Sequence, residues 1–198
     1  CFKLPQSSYM KIDLNKFHFR KYSEFNDLIE TNFISHQKWW TINRSNQYKD
    51  FEFNDIPKTI KKAEDLIENS VNSKLISDVP IGLFLSGGID SSLILSLLKN
   101  NHSKIKTFSI GYENADFDES VYAKKIANHF NSEHHEFICK KNDFLDLIDS
   151  IPLAFSEPFA DSSQIPTMMI SKLARKEVKV ALGGDAGDEL FGGYNRYL

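Results

Sequence analysis

The chain has 198 residues, 24 of them Lys or Arg and 27 Asp or Glu, for a net charge of -3. That balance gives no basic footprint for nucleic acid, and no apolar run approaches the roughly 20 residues a membrane helix needs. Hydrophobic residues at 41% and charged residues at 26% describe an ordinary globular protein with enough chain for a sizeable core.

Cys1 and Cys139 are too far apart in sequence to form a metal-binding pair, and this sparse usage fits a reducing cytosol. The chain opens without Met and closes just after Gly192-Gly193-Tyr194, so it reads as a piece of a longer protein. Residues 8–14 alternate, Asn15-Lys16 turns, and residues 17–22 alternate again, which predicts a β-hairpin. A lone hairpin is marginal in water, so a larger sheet is expected to have held it. Residues 26–56 are polar and aromatic around Trp39 and Trp40 and read as a linker with one short helix.

From Pro57 the pattern tightens into a helix, with Ile60, Ala63, Ile67, Val71 and Leu75 on one face. Residues 81–85 form an apolar run of strand length, broken by Ser86-Gly87-Gly88, and residues 89–98 then read as a helix. The pattern continues with a strand over 105–110, a helix over 118–130, a strand over 133–139 and a helix over 143–155. A helix over 165–175 and a strand over 178–182 complete it. Strands alternating with helices predict an α/β fold, a parallel sheet with helices on both faces. Ligands of such sheets gather past the carboxyl ends of the strands. Three loops are expected there, at 86–92, 111–118 and 183–189.

The first loop suits an anion. A helix start points unpaired N–H groups and the positive end of its dipole back at the glycines, with Ser86, Ser91 and Ser92 around the opening. A plain tight turn is the bland alternative. The stretch is not a Walker loop, since no Lys-Ser or Lys-Thr pair closes it. It is not a nucleophile elbow either, because Phe84 stands two residues before Ser86. An acid beside bound phosphate is repelled unless a cation stands between them, so Asp90 points to magnesium. Gly183-Gly184-Asp185-Ala186-Gly187-Asp188-Glu189 is the second dense motif, and Asp188 together with Asp90 could hold that ion. A solvated acidic turn is the alternative there. Ile110, at a strand end, could flank an adenine, whereas Asp118 reads first as a helix cap. The run 157–163 reads equally as a substrate loop or as a connection capping the next helix. His134-His135 with Cys139 invites a metal, but adjacent residues on a strand face opposite ways, which favours a structural pair.

Ser86-Gly87-Gly88-Ile89-Asp90-Ser91-Ser92 resembles the pyrophosphate loop of the ATP pyrophosphatases. Four features in order narrow the resemblance. They are Ser77-Asp78-Val79-Pro80 before that loop, Phe108-Ser109-Ile110-Gly111, Asp116-Phe117-Asp118-Glu119-Ser120, and Asp188-Glu189-Leu190-Phe191-Gly192-Gly193-Tyr194. Over residues 57–198 they are similar to the synthetase domain of the glutamine-hydrolysing asparagine synthetases, and residues 1–25 resemble the last strands of that family's amidotransferase domain.

The resemblance implies a cytoplasmic carbon–nitrogen ligase. It would use ATP and magnesium (Mg2+) to adenylate the side-chain carboxylate of aspartate, and ammonia from glutamine, released in an amidotransferase domain of the same polypeptide, would convert the adenylate to asparagine. Position by position, Leu85, Ile110, Gly183 and Gly184 would contact the nucleotide. Ser86, Gly87, Gly88, Ser91 and Ser92 would cradle the pyrophosphate, and Asp90 and Asp188 would bind magnesium. The acid tied to formation and capture of the adenylate falls on Asp185. Many members carry Glu there, in Ser-Gly-Glu-Gly-Ser-Asp-Glu, so this chain is one methylene shorter. Cys1 precedes Phe2-Lys3 rather than Gly-Ile, and the resemblance gives it no catalytic role. Another amide-forming member of the superfamily and a non-catalytic nucleotide-binding module remain open alternatives.

Overall fold

The computed structural model describes residues 2–18, 20–41, 55–101, 104–113, 118–158 and 160–194. The chain divides into two compact units, Cys1–Asp55 and Ile56–Leu198. Cys1, Phe19, Asp116, Phe117, Phe159 and residues 42–54 of the expected linker lie outside the described residues.

In the first unit β1 (Ser8–Ile12) pairs antiparallel with β2 (Ile34–Lys38), and α1 (Phe25–Ile29) stands between them in sequence. The register runs from Ser8 opposite Lys38 to Ile12 opposite Ile34. The strand expected within 17–22 does not form among the described residues. Alternation there is real, but the Phe17 ring packs edge-on against Phe33, 5.5 Å between centroids. Buried Phe33 and Ile34 recruit the later segment as the partner of β1.

The second unit follows the strand–helix alternation. α2 (Ile56–Ser73) leads into β3 (Ile81–Phe84), α3 (Ile89–Asn101), β4 (Lys106–Tyr112), α4 (Ser120–His129) and β5 (Glu133–Cys139). α5 (Lys141–Ile148), α6 (Ile151–Ala154), α7 (Gln164–Ala174), β6 (Val180–Leu182) and α8 (Gly187–Phe191) complete it. The single helix expected over 143–155 is two. Pro152 lacks the N–H that a continuous helix would bond to Ile148, so the chain breaks at Asp149-Ser150 and restarts with proline in its first turn. At the other end of α5, the Asp143 carboxylate accepts the Lys140 amide at 2.7 Å.

The four strands are parallel, in the order β5-β4-β3-β6. Alternation along β3 sends Leu83 and Leu85 to one face, into a core with Val71, Leu95, Leu98, Ala123 and Ala127 of α2, α3 and α4. Phe84 goes to the other face, with Phe108, Ile170, Leu173 and Ala174 beneath α7. Helices therefore cover both faces, as expected. From β3 the crossovers run outward to β4 and β5, and the chain then returns to place β6 on the other side of β3. A crevice opens where the winding reverses, at the carboxyl ends of β3 and β6. No helix among the described residues is long and apolar enough to cross a membrane.

Candidate active site

A cavity of about 910 Å³ occupies that crevice. The loop after β3 forms one wall with Ser86, Gly88, Ile89, Asp90 and Ser91, and the acidic loop after β6 forms another with Gly183, Gly184, Asp185, Gly187 and Asp188. Ser109, Ile110 and Tyr112 of β4 border it, with Glu119 and Ser120 at the start of α4. Leu85 borders it as well, with its side chain buried in the core below α3.

The first loop is fixed by its own serines. The Ser86 amide donates to Ser91 Oγ at 3.3 Å, and the Gly88 amide donates to Ser86 Oγ at 3.2 Å. The two hydroxyls lie 3.1 Å apart, and Ser91 Oγ donates to the Gly88 carbonyl at 3.3 Å. Gly87 has φ +83°, and a Cβ there would lie 2.5 Å from the Ala123 nitrogen and 2.7 Å from the Tyr122 carbonyl carbon. Its task is to let the loop lean on the first turn of α4, so it backs the wall and is not part of the lining. Ser92 is also outside the lining, and its hydroxyl is buried without a hydrogen-bond partner.

The acids are seated by glycines. A Cβ at Gly187 would fall 2.5 Å from Asp90 Oδ2, and one at Gly183 would fall 2.6 Å from Asp185 Oδ2. At Gly193 the Asp188 carboxylate fills the same space. Asp90 thus reaches across from α3 to the acidic loop, and a Cβ at Gly184 would lie 3.0 Å from Asp90 Cβ. Ala186 takes the left-handed conformation, φ 70°, immediately before α8.

Asp90, Glu119, Asp185 and Asp188 border the cavity, and no Lys, Arg or His does so among the described residues. An anion bound there needs a cation brought with it. The three aspartates do not meet at one point. Among the described residues, the group with three ligand atoms within 4.8 Å of one another is Glu133, His135 and Glu177. That group lies at the opposite, amino end of the strands, and Lys106 pairs with both glutamates and so supplies its cation.

The other expectations resolve as follows. His134 is a structural residue, with Nδ1 2.9 Å from Thr107 Oγ1 and Nε2 3.1 Å from Ser109 Oγ, and burial lowers its pKa. His135 stacks on Phe108, 5.2 Å between centroids. Cys139 is buried, its thiol pushed up to about 11 by burial and next by the Asp143 charge, and it donates to Met169 Sδ. The N-cap of α4 is Glu119, one residue after the Asp118 expected there; Asp118 instead accepts the Ser120 amide at 3.0 Å just before the helix, and hydrogen bonds from the Ser120 hydroxyl and amide hold it below the usual carboxylate range. Asp161 likewise accepts the Ser163 amide and hydroxyl, each at 2.7 Å, before α7. None of the described residues of 157–163 borders the cavity.

Several lining residues carried no role in the sequence reading. Tyr112 ends β4 and Glu119 immediately precedes α4, where the carboxyl-end rule alone could have flagged them. Pro166 and Ile170, one helical turn apart on α7, close the opposite side with Thr167. Gly187 stands out in sequence only as a small residue between Asp185 and Asp188, and the structure makes it the seat of Asp90.

A family model described as asparagine synthase matches residues 62–198. The glutamine-hydrolysing asparagine synthetase 1 of Bacillus subtilis is 44% identical over 140 residues, covering 71% of this chain and 22% of that protein. A Methanocaldococcus jannaschii relative is 43% identical over 146 residues, covering 73% of this chain and 28% of its own length. The bovine glutamine-hydrolysing asparagine synthetase is 34% identical over 141 residues, covering 65% of this chain and 24% of that protein. The chain thus spans about a quarter of the length of the curated relatives it matches. Among solved structures, an ammonia-dependent NAD synthetase from Campylobacter jejuni aligns with a TM-score of 0.45 at 20% identity, covering 71% of this chain and 61% of that one. An NMN synthetase from Francisella tularensis gives 0.48 at 16%, covering 69% and 59%.

Proposed function

The chain belongs to the asparagine synthase family, and from that premise we propose that its cavity binds magnesium-ATP and adenylates the side-chain carboxylate of aspartate. Ammonia then displaces AMP to give asparagine. The ammonia comes from glutamine in an amidotransferase domain of the same protein, and the setting is cytosolic. The observation that carries this reading is the meeting of the Ser86–Ser91 loop with the Asp185–Asp188 loop around one cavity at the sheet's switch point.

A carboxylate is a poor acceptor for ammonia until one of its oxygens becomes a good leaving group. Holding it against the α-phosphate makes an encounter effectively unimolecular. In the proposed arrangement Leu85, Ile110, Gly183 and Gly184 contact the nucleotide. The first turn of α3 and the loop of Ser86, Gly88 and Ser91 receive the pyrophosphate, with Gly87 and Ser92 behind them. The cavity fits a divalent cation on two grounds: it offers carboxylates without a basic side chain, and Gly187 leaves just enough space for the Asp90 carboxylate. Asp90 and Asp188 would hold magnesium, which when bound neutralises charge on the departing pyrophosphate. Asp185, which borders the same cavity, would hold or move a proton as ammonia arrives.

The test uses the intact protein with magnesium-ATP, aspartate and ammonia. Equal amounts of asparagine, AMP and pyrophosphate are expected. Products of ADP and inorganic phosphate, or pyrophosphate release that ignores aspartate, would overturn the proposal.

A further inference from the structure

We propose that Gly183 is a positioning residue for Asp185: lacking a Cβ, it leaves the hollow in which the Asp185 carboxylate rests at the edge of the cavity. The proposal rests on the reading of Asp185 as the acid that meets the incoming ammonia.

The main chain around Asp185 is set on both sides. β6 ends at Leu182, and the Gly187 amide donates to the Gly184 carbonyl at 3.2 Å across a turn in which Ala186 is left-handed. The side chain alone is free to turn, and among the described residues its carboxylate makes no hydrogen bond or ion pair. What bounds it is the space over Gly183. Outside the adjoining residues, the three atoms nearest to a Cβ at Gly183 all belong to Asp185: Oδ2 at 2.6 Å, Cγ at 3.5 Å and the amide nitrogen at 3.9 Å. Carbon and oxygen in ordinary contact stand about 3.3–3.6 Å apart, so a methyl there would push Oδ2 by about 0.7–1 Å. Gly184 meets harder neighbours, since a Cβ there would lie 3.1 Å from the Ser91 nitrogen, main chain that cannot swing away. At Gly183 only the free end of a side chain stands in the way, and the backbone is not left-handed. An added methyl therefore costs the fold little and moves the acid. Asp185 also borders a second hollow of about 360 Å³, walled by Ile67, Val71, Leu93, Ile94 and Leu190, and an unseated carboxylate has that space to turn into. A misplacement of about 1 Å is enough to cost a reaction about a hundredfold in rate.

Gly183→Ala in the intact protein decides it, by crystal structures beside wild type and by asparagine formation from aspartate, magnesium-ATP and ammonia. The Asp185 carboxylate is expected to stand about 0.7 Å or more from its wild-type place. The kcat should fall about 10- to 100-fold with the KM for ATP changed less than about threefold, and the melting temperature should stay within about 2 °C. On an Asp185→Asn background, already without the charge, the same methyl should cost less than about twofold. An unmoved carboxylate would overturn the seat. So would a loss that repeats in full on the Asp185→Asn background, or a loss confined to the KM for ATP, because either puts the effect of the methyl on the nucleotide. Wild-type turnover in Asp185→Asn, or a wild-type protein that makes no asparagine, would sink the reading of Asp185 instead, and the carboxylate position would still decide the seat.

Discussion

Replacing Gly87 and Gly88 one at a time by alanine separates two jobs that adjacent glycines do. At Gly87 the backbone is left-handed, φ +83°, and the added methyl would meet backbone atoms of Tyr122 and Ala123 at 2.7 and 2.5 Å. The left-handed conformation costs an alanine about 1–2 kcal/mol. Overpacking against atoms that cannot swing away adds about 1–3 kcal/mol. Against these stands a gain of about 0.4–1 kcal/mol from a stiffer unfolded chain. The net expectation for Gly87→Ala is a loss of roughly 2–4 kcal/mol. At Gly88 the methyl would meet only Ser86 Oγ, at 3.3 Å, and φ is ordinary. Gly88→Ala should therefore cost under about 1 kcal/mol of stability. It should weaken magnesium-ATP binding instead, because Gly88 borders the cavity. Thermal unfolding of the intact protein is the assay, read on the transition that magnesium-ATP moves upward, with calorimetric titration of the nucleotide beside it. Stabilities of the two variants within about 0.5 kcal/mol of each other would refute the reasoning.

Three further outcomes are expected. Asp90→Asn and Asp188→Asn should each cut magnesium-dependent pyrophosphate release roughly a hundredfold or more, and the double variant should lose far less than the product if both acids hold one ion. Asp185→Asn should lower kcat for asparagine formation with little change in the KM for ATP, and Asp185→Glu should keep part of the rate; wild-type turnover in the Asn variant would make Asp185 a turn residue, for which Asn is a close mimic. Burial lowers the His134 pKa, so the unfolded chain takes up protons first as acid is added. Stability should then be complete above the ordinary histidine range and fall as pH drops through the lowered value, a dependence that His134→Phe should flatten while costing about 1–3 kcal/mol for hydroxyls left unpaired.

The sheet was legible because each element of the second unit announces itself locally. β3 is an apolar run ending at two glycines, and α2, α3, α4 and α7 carry one apolar face each at helical spacing. The features that escaped are set by distant residues. Whether 17–22 or 34–38 pairs with β1 depends on where Phe17 finds a partner, and that partner is Phe33. The break at Asp149-Ser150 was readable in Pro152 but was outweighed by apolar spacing on either side of it. In the site, the two motif loops converge as the alternation of strands and helices predicts. The α7 wall of Pro166, Thr167 and Ile170 depends on the return crossover to β6, which local periodicity does not encode. Nor does sequence spacing reveal that Gly187 seats Asp90, a contact between loops almost a hundred residues apart in the chain.

The central claim is that aspartate's side-chain carboxylate attacks the α-phosphate of ATP in this cavity. Its most direct test is to supply the intact protein with aspartate carrying heavy oxygen in the side-chain carboxylate, together with magnesium-ATP and ammonia, and to weigh the products. One labelled oxygen should appear in each AMP formed, and the pyrophosphate should carry none. Label found in inorganic phosphate beside ADP, or AMP formed without label, would contradict it.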